Sequence, residues 1–202
     1  MQHDLYLMRH GQTVWNAQGR MQGWLDSPLT ELGRRQAEWQ AALVADVTGA
    51  ARYASPLGRA QQTAAIVFGG AEVISDDRLR EIDVGDFSGH CYPDLVAAHP
   101  HLFGGGRLAW YDRAPGGEGL AALRARAEAF LADLTGPALI VTHGITLRML
   151  RLVALGRPDT LLEDMSVEQG AVHVIRAGQH SVWRHPQSHS APAMGAAPGA
   201  VP

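Results

Sequence analysis

The chain of 202 residues has one cysteine, Cys91, and no long apolar run. Because a single thiol cannot form an internal disulfide, cross-linking cannot stabilise this fold. No stretch approaches the roughly 20 apolar residues that a transmembrane helix needs. The apolar run at the N-terminus, Leu5 to Met8, is too short for the apolar region of a signal peptide. We therefore expect a cytoplasmic protein without a membrane contact.

An excess of charge and a metal-binding spacing are also missing. The formal net charge is -3, so the chain lacks the basic field that nucleic acid binding requires. Among ten histidines, the only His-x-x-x-His pair is His185 and His189, and Pro186 opposes the helix that would align their rings. We expect no nucleic acid partner, no metal and no cofactor, so any anion must be bound by a local group of arginines and histidines.

Apolar runs and helical segments alternate along the chain. Short apolar runs that end in glycine, proline or a polar turn predict strands, and Thr30 followed by Glu31 predicts the start of a helix. This alternation predicts an α/β fold, a three-layer sandwich with a mostly parallel central sheet flanked by helices. The predicted strands are 5–8, 51–54, 72–75, 138–141, 172–175 and 181–183, and the predicted helices are 30–47, 57–67, 93–98, 120–134 and one that begins at 145.

Two segments depart from the alternation. Residues 78–119 are rich in glycine, and because a long irregular stretch in a domain is more often functional than idle, we expect it to cover the site. Its aromatic residues would either form an apolar wall for a leaving group or pack this cover onto the sheet. Residues 186–202 are mainly Ala, Pro, Ser and Gly, which bury too little surface to offset the entropy of ordering. We predict one domain over 1–185 and a disordered tail over 186–202.

A histidine follows each of two predicted buried strands. His10 comes after the first strand and His143 after the strand at 138–141. Ligands of open α/β sheets lie outside the carboxyl ends of the strands, so both histidines would face one crevice. Arg9 and Arg59, which follows the second strand, would join them to form a pocket for a dianion. Spacing alone leaves a structural role for each of these residues equally open.

The segments around these positions are RHGQT at 9–13, WN at 15–16, LTELG at 29–33, SPLGRAQQTA at 55–64, LREIDVGDFSG at 79–89, PGGE at 115–118 and VTHG at 141–144. Together they resemble the signature of the histidine phosphatase superfamily, which includes cofactor-dependent phosphoglycerate mutases. The resemblance extends from residue 5 to about residue 150, and its segments follow the family's order. Gln12 departs from the pattern, since many relatives carry Glu there, and its effect on substrate choice does not follow from the sequence.

The resemblance implies transfer of a phosphoryl group to His10. This histidine would attack phosphorus as a neutral imidazole, while a backbone carbonyl on its other ring nitrogen fixes the tautomer. Glu81 would protonate the leaving alkoxide and then take a proton from the attacking water. Asp83 and Asp86 lie close in sequence and compete for this role, but the Leu-Arg-Glu segment favours Glu81.

The resemblance also implies a set of groups that bind the phosphoryl oxygens. Positioning and charge neutralisation dominate such transfers, and side chains would replace the metal that kinases use. Backbone N–H groups at Gly11 and near Gly144 would add donors. The expected binding residues are Arg9, Asn16, Arg59 and His143, together with Gly11, Gln22, Gly23 and Gly144.

Three functions remain open at this point. The related mutases have a longer, more basic insertion before the Pro-Gly-Gly segment, whereas residues 90–115 contain only Arg107 and Arg113 as basic residues besides histidines. This favours a metal-independent phosphomonoesterase acting on a small phosphorylated metabolite. A cofactor-dependent phosphoglycerate mutase and a phosphohistidine protein phosphatase are the alternatives. The expected partner is a small phosphoester, and the sequence does not determine the oligomeric state, so a homodimer remains open.

Overall fold

A six-stranded sheet forms the centre of the computed structural model, which describes residues 3–189. Its strand order is β3-β2-β4-β1-β5-β6. Strands β1 to β4 pair in parallel, whereas β5 pairs with β1 and β6 in the antiparallel sense. The strands are β1 (Leu5–Arg9), β2 (Ala51–Ala54), β3 (Ile74–Ser75), β4 (Ala138–Thr142), β5 (Val172–Arg176) and β6 (Gln179–Trp183).

Helices cover both faces of the sheet. Leu5 and Leu7 of β1 belong to one core cluster, with residues of α5 and α6, while Tyr6 and Met8 belong to a second, with residues of α2 and α3. This alternation is the period of two of a strand that is buried on both faces. The predicted three-layer sandwich is confirmed. The helices are α1 (Val14–Ala17), α2 (Glu31–Val44), α3 (Gly58–Val67), α4 (Tyr92–Ala98), α5 (Gly119–Ala132) and α6 (Gly144–Ala154).

Local differences from the predicted elements have local causes. The Thr30 hydroxyl accepts a hydrogen bond from the Gly33 N–H, as expected of an N-cap, but α2 ends at Val44 rather than at residue 47. A short helix, α1, lies in a predicted loop because Thr13 and Asn16 form a capping box at its start. Strand β3 contains only two of the four predicted residues.

The irregular segment 78–119 is ordered around an aromatic cluster of its own. Trp110 is fully buried, with its ring centroid 6.2 Å from that of Phe87 and 5.5 Å from that of Phe103. The Tyr92 ring meets the Phe103 ring edge-on at 5.4 Å. These four aromatic side chains pack the cover onto the domain. Tyr111 is different, because it also lines the pocket described below.

The chain stays ordered slightly beyond the predicted start of the tail. Pro186–His189, the first four residues of the predicted tail, form a 3-10 turn. The preceding His185 ring stacks on Trp39 of α2, which keeps this part of the chain against the domain. The rest of the predicted tail, residues 190–202, lies outside the described residues. Within residues 3–189, no helix is long and apolar enough to span a bilayer.

Candidate active site

Two adjacent parallel strands place His10 and His143 side by side. Arg9 at the end of β1 lies opposite Thr142 at the end of β4, and the His10 N–H donates to the Thr142 carbonyl at 2.9 Å. His10 directly follows Arg9, and His143 directly follows Thr142. The two ring centroids are 5.1 Å apart, and both side chains are buried. The structure thus brings together the two histidines that sequence reasoning placed at one edge of the sheet.

A pocket opens over His10 at this edge, and we call it the histidine pocket. Seven of the ten predicted site residues line it, whereas Gly11, His143 and Gly144 do not. Arg20, Met21, Ile82, Val84 and Tyr111 also line it and were not in the predicted set. The complete lining is Arg9, His10, Asn16, Arg20, Met21, Gln22, Gly23, Arg59, Glu81, Ile82, Val84 and Tyr111.

The hydrogen bonds of His10 define its tautomer. Its Nδ1 lies 2.7 Å from the Gly11 carbonyl oxygen, which only an N–H can approach so closely, so Nδ1 carries the proton. Its Nε2 accepts a hydrogen bond from Arg59 Nε at 3.3 Å. Burial lowers the pKa of His10 well below its ordinary value, and the charges of Arg59 and Arg9 lower it further. A neutral imidazole with its lone pair on Nε2 is the form that can act as a nucleophile.

Arg59 shapes the pocket more than it serves a ligand. Its terminal nitrogens donate to the Leu25 carbonyl at 2.7 Å, the Gly23 carbonyl at 2.9 Å and Asp26 Oδ1 at 2.9 Å. With Nε on His10, one of the five N–H groups of the guanidinium is left for an anion. Burial lowers the pKa of Arg59, while Glu81 and Asp26 oppose that shift. Arg59 therefore fixes the loop at 23–26 and places its charge beside His10.

Arg9 and His143 each keep a buried nitrogen without a partner among residues 3–189. Arg9 donates one terminal N–H to the Val167 carbonyl at 3.3 Å, but its Nε is unpaired. His143 Nε2 is 2.7 Å from Ser55 Oγ, and its Nδ1 is unpaired. Burial lowers the pKa of His143, with Arg59 adding to the effect. Because an unpaired buried polar atom costs about 1–3 kcal/mol, such atoms are typical of sites that a ligand completes.

Glu81 is the candidate carboxylate that reaches the histidine pocket. Its oxygens accept hydrogen bonds from the backbone N–H groups of Ile145 and Thr146, at the start of α6, at distances of 3.1–3.2 Å. Asp83 instead accepts from the Gly85 N–H, and neither Asp83 nor Asp86 lines the pocket. The carboxylate of Glu81 thus lies at a helix N-terminus and faces the same space as His10.

Arg126 of α5 holds the backbone around Glu81. Its Nη1 donates to the carbonyls of Arg78 and Arg80 at 2.6 and 2.7 Å, and its Nη2 donates to the Glu81 carbonyl at 3.1 Å. Trp24 Nε1 donates to the same Glu81 carbonyl at 2.8 Å. The candidate acid therefore sits on an irregular segment whose carbonyls are fixed by side chains from elsewhere in the fold.

The glycines of the predicted set act through close packing. The Gly11 N–H, expected from the sequence to add a donor for a phosphate, donates to Thr63 Oγ1 at 3.1 Å in this structure. A Cβ at Gly11 would lie 2.1 Å from the Gly33 carbonyl oxygen, so the loop after β1 presses directly on α2. A Cβ at Gly144 would lie 3.4 Å from Arg9 Cζ, which shows how closely this guanidinium packs on the start of α6.

Two further residues near the pocket left no signal in the sequence. Arg20 lies in a loop without a motif, and its guanidinium is 5.1 Å from the centroid of the Trp15 ring. Gln169 comes 159 positions after His10, yet its Nε2 donates to the His10 carbonyl at 3.1 Å. The Gln169 contact depends on how distant parts of the chain meet at the sheet edge, whereas the Arg20 contact is local but belongs to no recognised motif.

Known proteins match both the sequence and this geometry. A family model described as histidine phosphatase superfamily (branch 1) matches residues 5–185. The chain belongs to this superfamily. A probable phosphoglycerate mutase from Enterobacter sp. (strain 638) is 40% identical over 168 residues, which cover 77% of this chain and 76% of the relative.

Solved structures of other histidine phosphatases have the same fold. The chain is 30% identical to a mycobacterial glucosyl-3-phosphoglycerate phosphatase, with a TM-score of 0.79 and coverage of 90% of this chain and 98% of that one. It is 28% identical to a putative alpha-ribazole-5'-P phosphatase from Escherichia coli K-12, with a TM-score of 0.76 and coverage of 92% and 96%. The predicted family is therefore confirmed, and the chain is an enzyme of the phosphatase and mutase kind.

Proposed function

We propose that the protein is a metal-independent phosphomonoesterase that acts on a small phosphorylated metabolite through a phosphohistidine at His10. The observation that carries this proposal is the state of His10. It is a buried neutral imidazole whose Nδ1 is bonded to a carbonyl and whose Nε2 accepts from Arg59. Charge for a phosphate dianion comes from Arg9 and Arg59. Within residues 3–189, no three His, Cys, Asp or Glu side chains are grouped to hold a metal ion.

The first step forms a bond between His10 Nε2 and phosphorus and breaks the bond to the ester oxygen. Glu81 donates its proton to that oxygen as it leaves, so the alcohol departs neutral. The unpaired Nε of Arg9 and Nδ1 of His143 are available for the phosphoryl oxygens that develop charge during transfer. The one N–H of Arg59 that does not bond to the loop at 23–26 or to His10 adds a third donor.

The second step consumes water. Glu81 takes a proton from a water molecule as its oxygen attacks phosphorus, and the bond to Nε2 breaks to return neutral His10 and free phosphate. The same side chains bind the phosphoryl group in both steps, because the group stays in place while the leaving group is replaced by water. Glu81 is suited to both roles because it faces the pocket from a segment fixed by Arg126 and Trp24.

The contacts made by the two arginines of segment 90–115 favour hydrolysis over mutase activity. Arg107 donates to the Glu163 carbonyl at 2.5 Å, and Arg113 donates to the carbonyls of Leu102 and Gly104 at 3.1 and 2.6 Å. Neither arginine lines the histidine pocket. The basic residues of segment 90–115 are therefore occupied with its own packing. Two solved relatives with phosphatase names also favour hydrolysis, whereas the mutase name of the Enterobacter relative keeps the alternative in view.

A panel of phosphoesters tests the proposal. Purified protein should release phosphate from p-nitrophenyl phosphate and from small sugar or acid phosphates, and the rate should be unchanged by EDTA. In parallel, 3-phosphoglycerate with 2,3-bisphosphoglycerate should yield free phosphate rather than 2-phosphoglycerate. Isomerisation without phosphate release would identify a mutase, and complete inactivation by EDTA would contradict the metal-free mechanism.

Arg20 gives the pocket a cation beyond those that face the transferred group. It lines the pocket, stacks on Trp15 and has a buried Nε without a partner in the described part of the chain. We expect Arg20→Gln to lower kcat/KM about 10-fold for phosphoesters whose leaving group bears a carboxylate or second phosphate, the range of a charge-assisted hydrogen bond. For p-nitrophenyl phosphate the change should stay within about 2-fold, because only the phosphoryl group is charged.

Arg35→Gln is the matched control, because it removes the same charge from an exposed position of α2. Kinetics of the three proteins on one acidic and one neutral leaving group give the comparison. An equal loss for both leaving groups in Arg20→Gln would mean that Arg20 serves the phosphoryl group or the fold instead of the leaving group.

A further inference from the structure

Three arginines hold one extended segment beside the pocket. Arg148 Nε donates to the Met165 carbonyl at 2.9 Å, Arg151 donates to the Ser166 carbonyl, and Arg9 donates to the Val167 carbonyl at 3.3 Å. Three successive carbonyls are thus each bonded to a different guanidinium. Arg148 and Arg151 are almost completely buried, so these bonds fix the segment from inside the domain. We call residues 165–169 the clamped segment.

The clamped segment ends at Gln169, which contacts two residues of the site. Its Nε2 donates to the His10 carbonyl at 3.1 Å and lies 3.3 Å from Asn16 Oδ1. One amide group therefore bridges the backbone of the nucleophile and the side chain of a pocket-lining residue. Gln169 itself does not line the histidine pocket. Its effect on a ligand would pass through Asn16 and His10.

The bonds to Asn16 determine which end of its amide faces a ligand. Asn16 Oδ1 also accepts from the Thr13 N–H at 3.1 Å. A carbonyl oxygen has two lone pairs, and both are used here by N–H donors. A flipped amide would place its NH2 group against these two donors, which costs both hydrogen bonds and brings like partial charges together. The oxygen is thereby held on the side of Thr13 and Gln169, and the NH2 group is left as the donor for an anion.

We propose that Gln169 is a positioning residue that holds the Asn16 amide with its NH2 group available to a phosphoryl oxygen. The inference rests on the proposed function, since it assumes that the histidine pocket binds a phosphoryl group. To the proposed function it adds a residue outside the pocket, Gln169, whose role is to control the orientation of the Asn16 amide. The three arginines keep Gln169 at the distance that this action needs.

Binding of orthovanadate, measured by calorimetry, tests the proposal without relying on turnover. Gln169→Met keeps the length of the side chain and removes the donor, and we expect 3- to 10-fold weaker vanadate binding, about the value of one neutral hydrogen bond. Gln169→Glu should weaken it further, because a carboxylate accepts from the Asn16 NH2 group and favours the flipped amide. Gln179→Met, on the exposed strand β6, is the control and should bind as the wild type does.

The decisive comparison is made in the Asn16→Ala background. If Gln169 acts through Asn16, Gln169→Met should change vanadate affinity less than about 2-fold there, since the coupling of the two residues is lost. An equal loss in both backgrounds would overturn the proposal. So would unchanged affinity in Gln169→Glu, which remains informative even if Gln169→Met lowers the melting temperature. Wild-type protein that neither binds vanadate nor releases phosphate would instead contradict the proposed function.

Discussion

His10→Ala is expected to reduce phosphate release by about 10⁴-fold or more, the scale of losing a covalent nucleophile. The residual pocket still binds phosphate through Arg9 and Arg59, but no remaining side chain offers a neutral nitrogen at the position of Nε2. His143 is not a substitute, because its Nε2 already lies 2.7 Å from Ser55 Oγ. The residual rate of p-nitrophenyl phosphate hydrolysis, followed over a long time course, measures the loss.

A covalent readout makes this result specific. Wild-type protein quenched during turnover of a labelled phosphoester should carry acid-labile, base-stable label, as a phosphohistidine does, and His10→Ala should carry none. His101→Ala removes an exposed histidine outside the pocket and should label like the wild type. Label that persists in His10→Ala, or turnover within about 10-fold of the wild type, would exclude His10 as the nucleophile.

Glu81→Gln is expected to separate good leaving groups from poor ones. Removing a general acid costs about 10²- to 10⁴-fold, and the full cost should apply to alkyl phosphates, whose alkoxide needs the proton. Transfer from p-nitrophenyl phosphate should be less affected, because p-nitrophenolate leaves without protonation. Hydrolysis of the phosphohistidine still needs the base, so we expect a burst of one p-nitrophenolate per site followed by slow turnover. Stopped-flow absorbance shows both phases.

The amide in Glu81→Gln is close to the carboxylate in size and still accepts from the N–H groups at the start of α6. A folding defect is therefore not the expected cause, and the melting temperature provides the check. Asp86→Asn is the control, since Asp86 competed for the same role in the sequence but lies outside the pocket. An equal rate loss on both kinds of ester with no burst would show that Glu81 acts on something other than the leaving group and water.

The parts of the site that follow from the sequence are those linked to strand ends. A buried strand is recognisable from its apolar run, and the edge at which its next residue lies follows from the topology of parallel sheets. On this ground the sequence predicts that His10 and His143 lie together, with Arg59 near them. The resemblance to the family singled out Glu81 among three nearby carboxylates. All of these steps use local patterns or a rule of sheet topology.

The contacts that were missed link residues far apart in sequence. The sequence presents Arg59 as a phosphate ligand, yet three of its five N–H groups bind the loop at 23–26, two on carbonyls and one on Asp26, which no spacing reveals. The sequence predicts that Gly11 donates to an anion, but α3 places Thr63 against it and α2 places Gly33 against it. Gln169 depends on three arginines from other elements. Such contacts are decided by packing, which leaves no periodicity along the chain.

The distance between the two histidines depends on the main chain of β1 and β4. The two strands pair from Leu5 to Arg9 of β1, and the His10 N–H donates to the Thr142 carbonyl. These hydrogen bonds fix the distance between the backbones of His10 and His143. A slip of one residue would send one ring to the opposite face, so intermediate spacings are not available to the sheet. Substitutions that destabilise the hydrophobic core therefore lower the folded fraction of the protein before they change the geometry of the site in the molecules that stay folded. For this protein, variation in the core should be seen in yield and heat tolerance, while the chemistry of each surviving molecule stays the same.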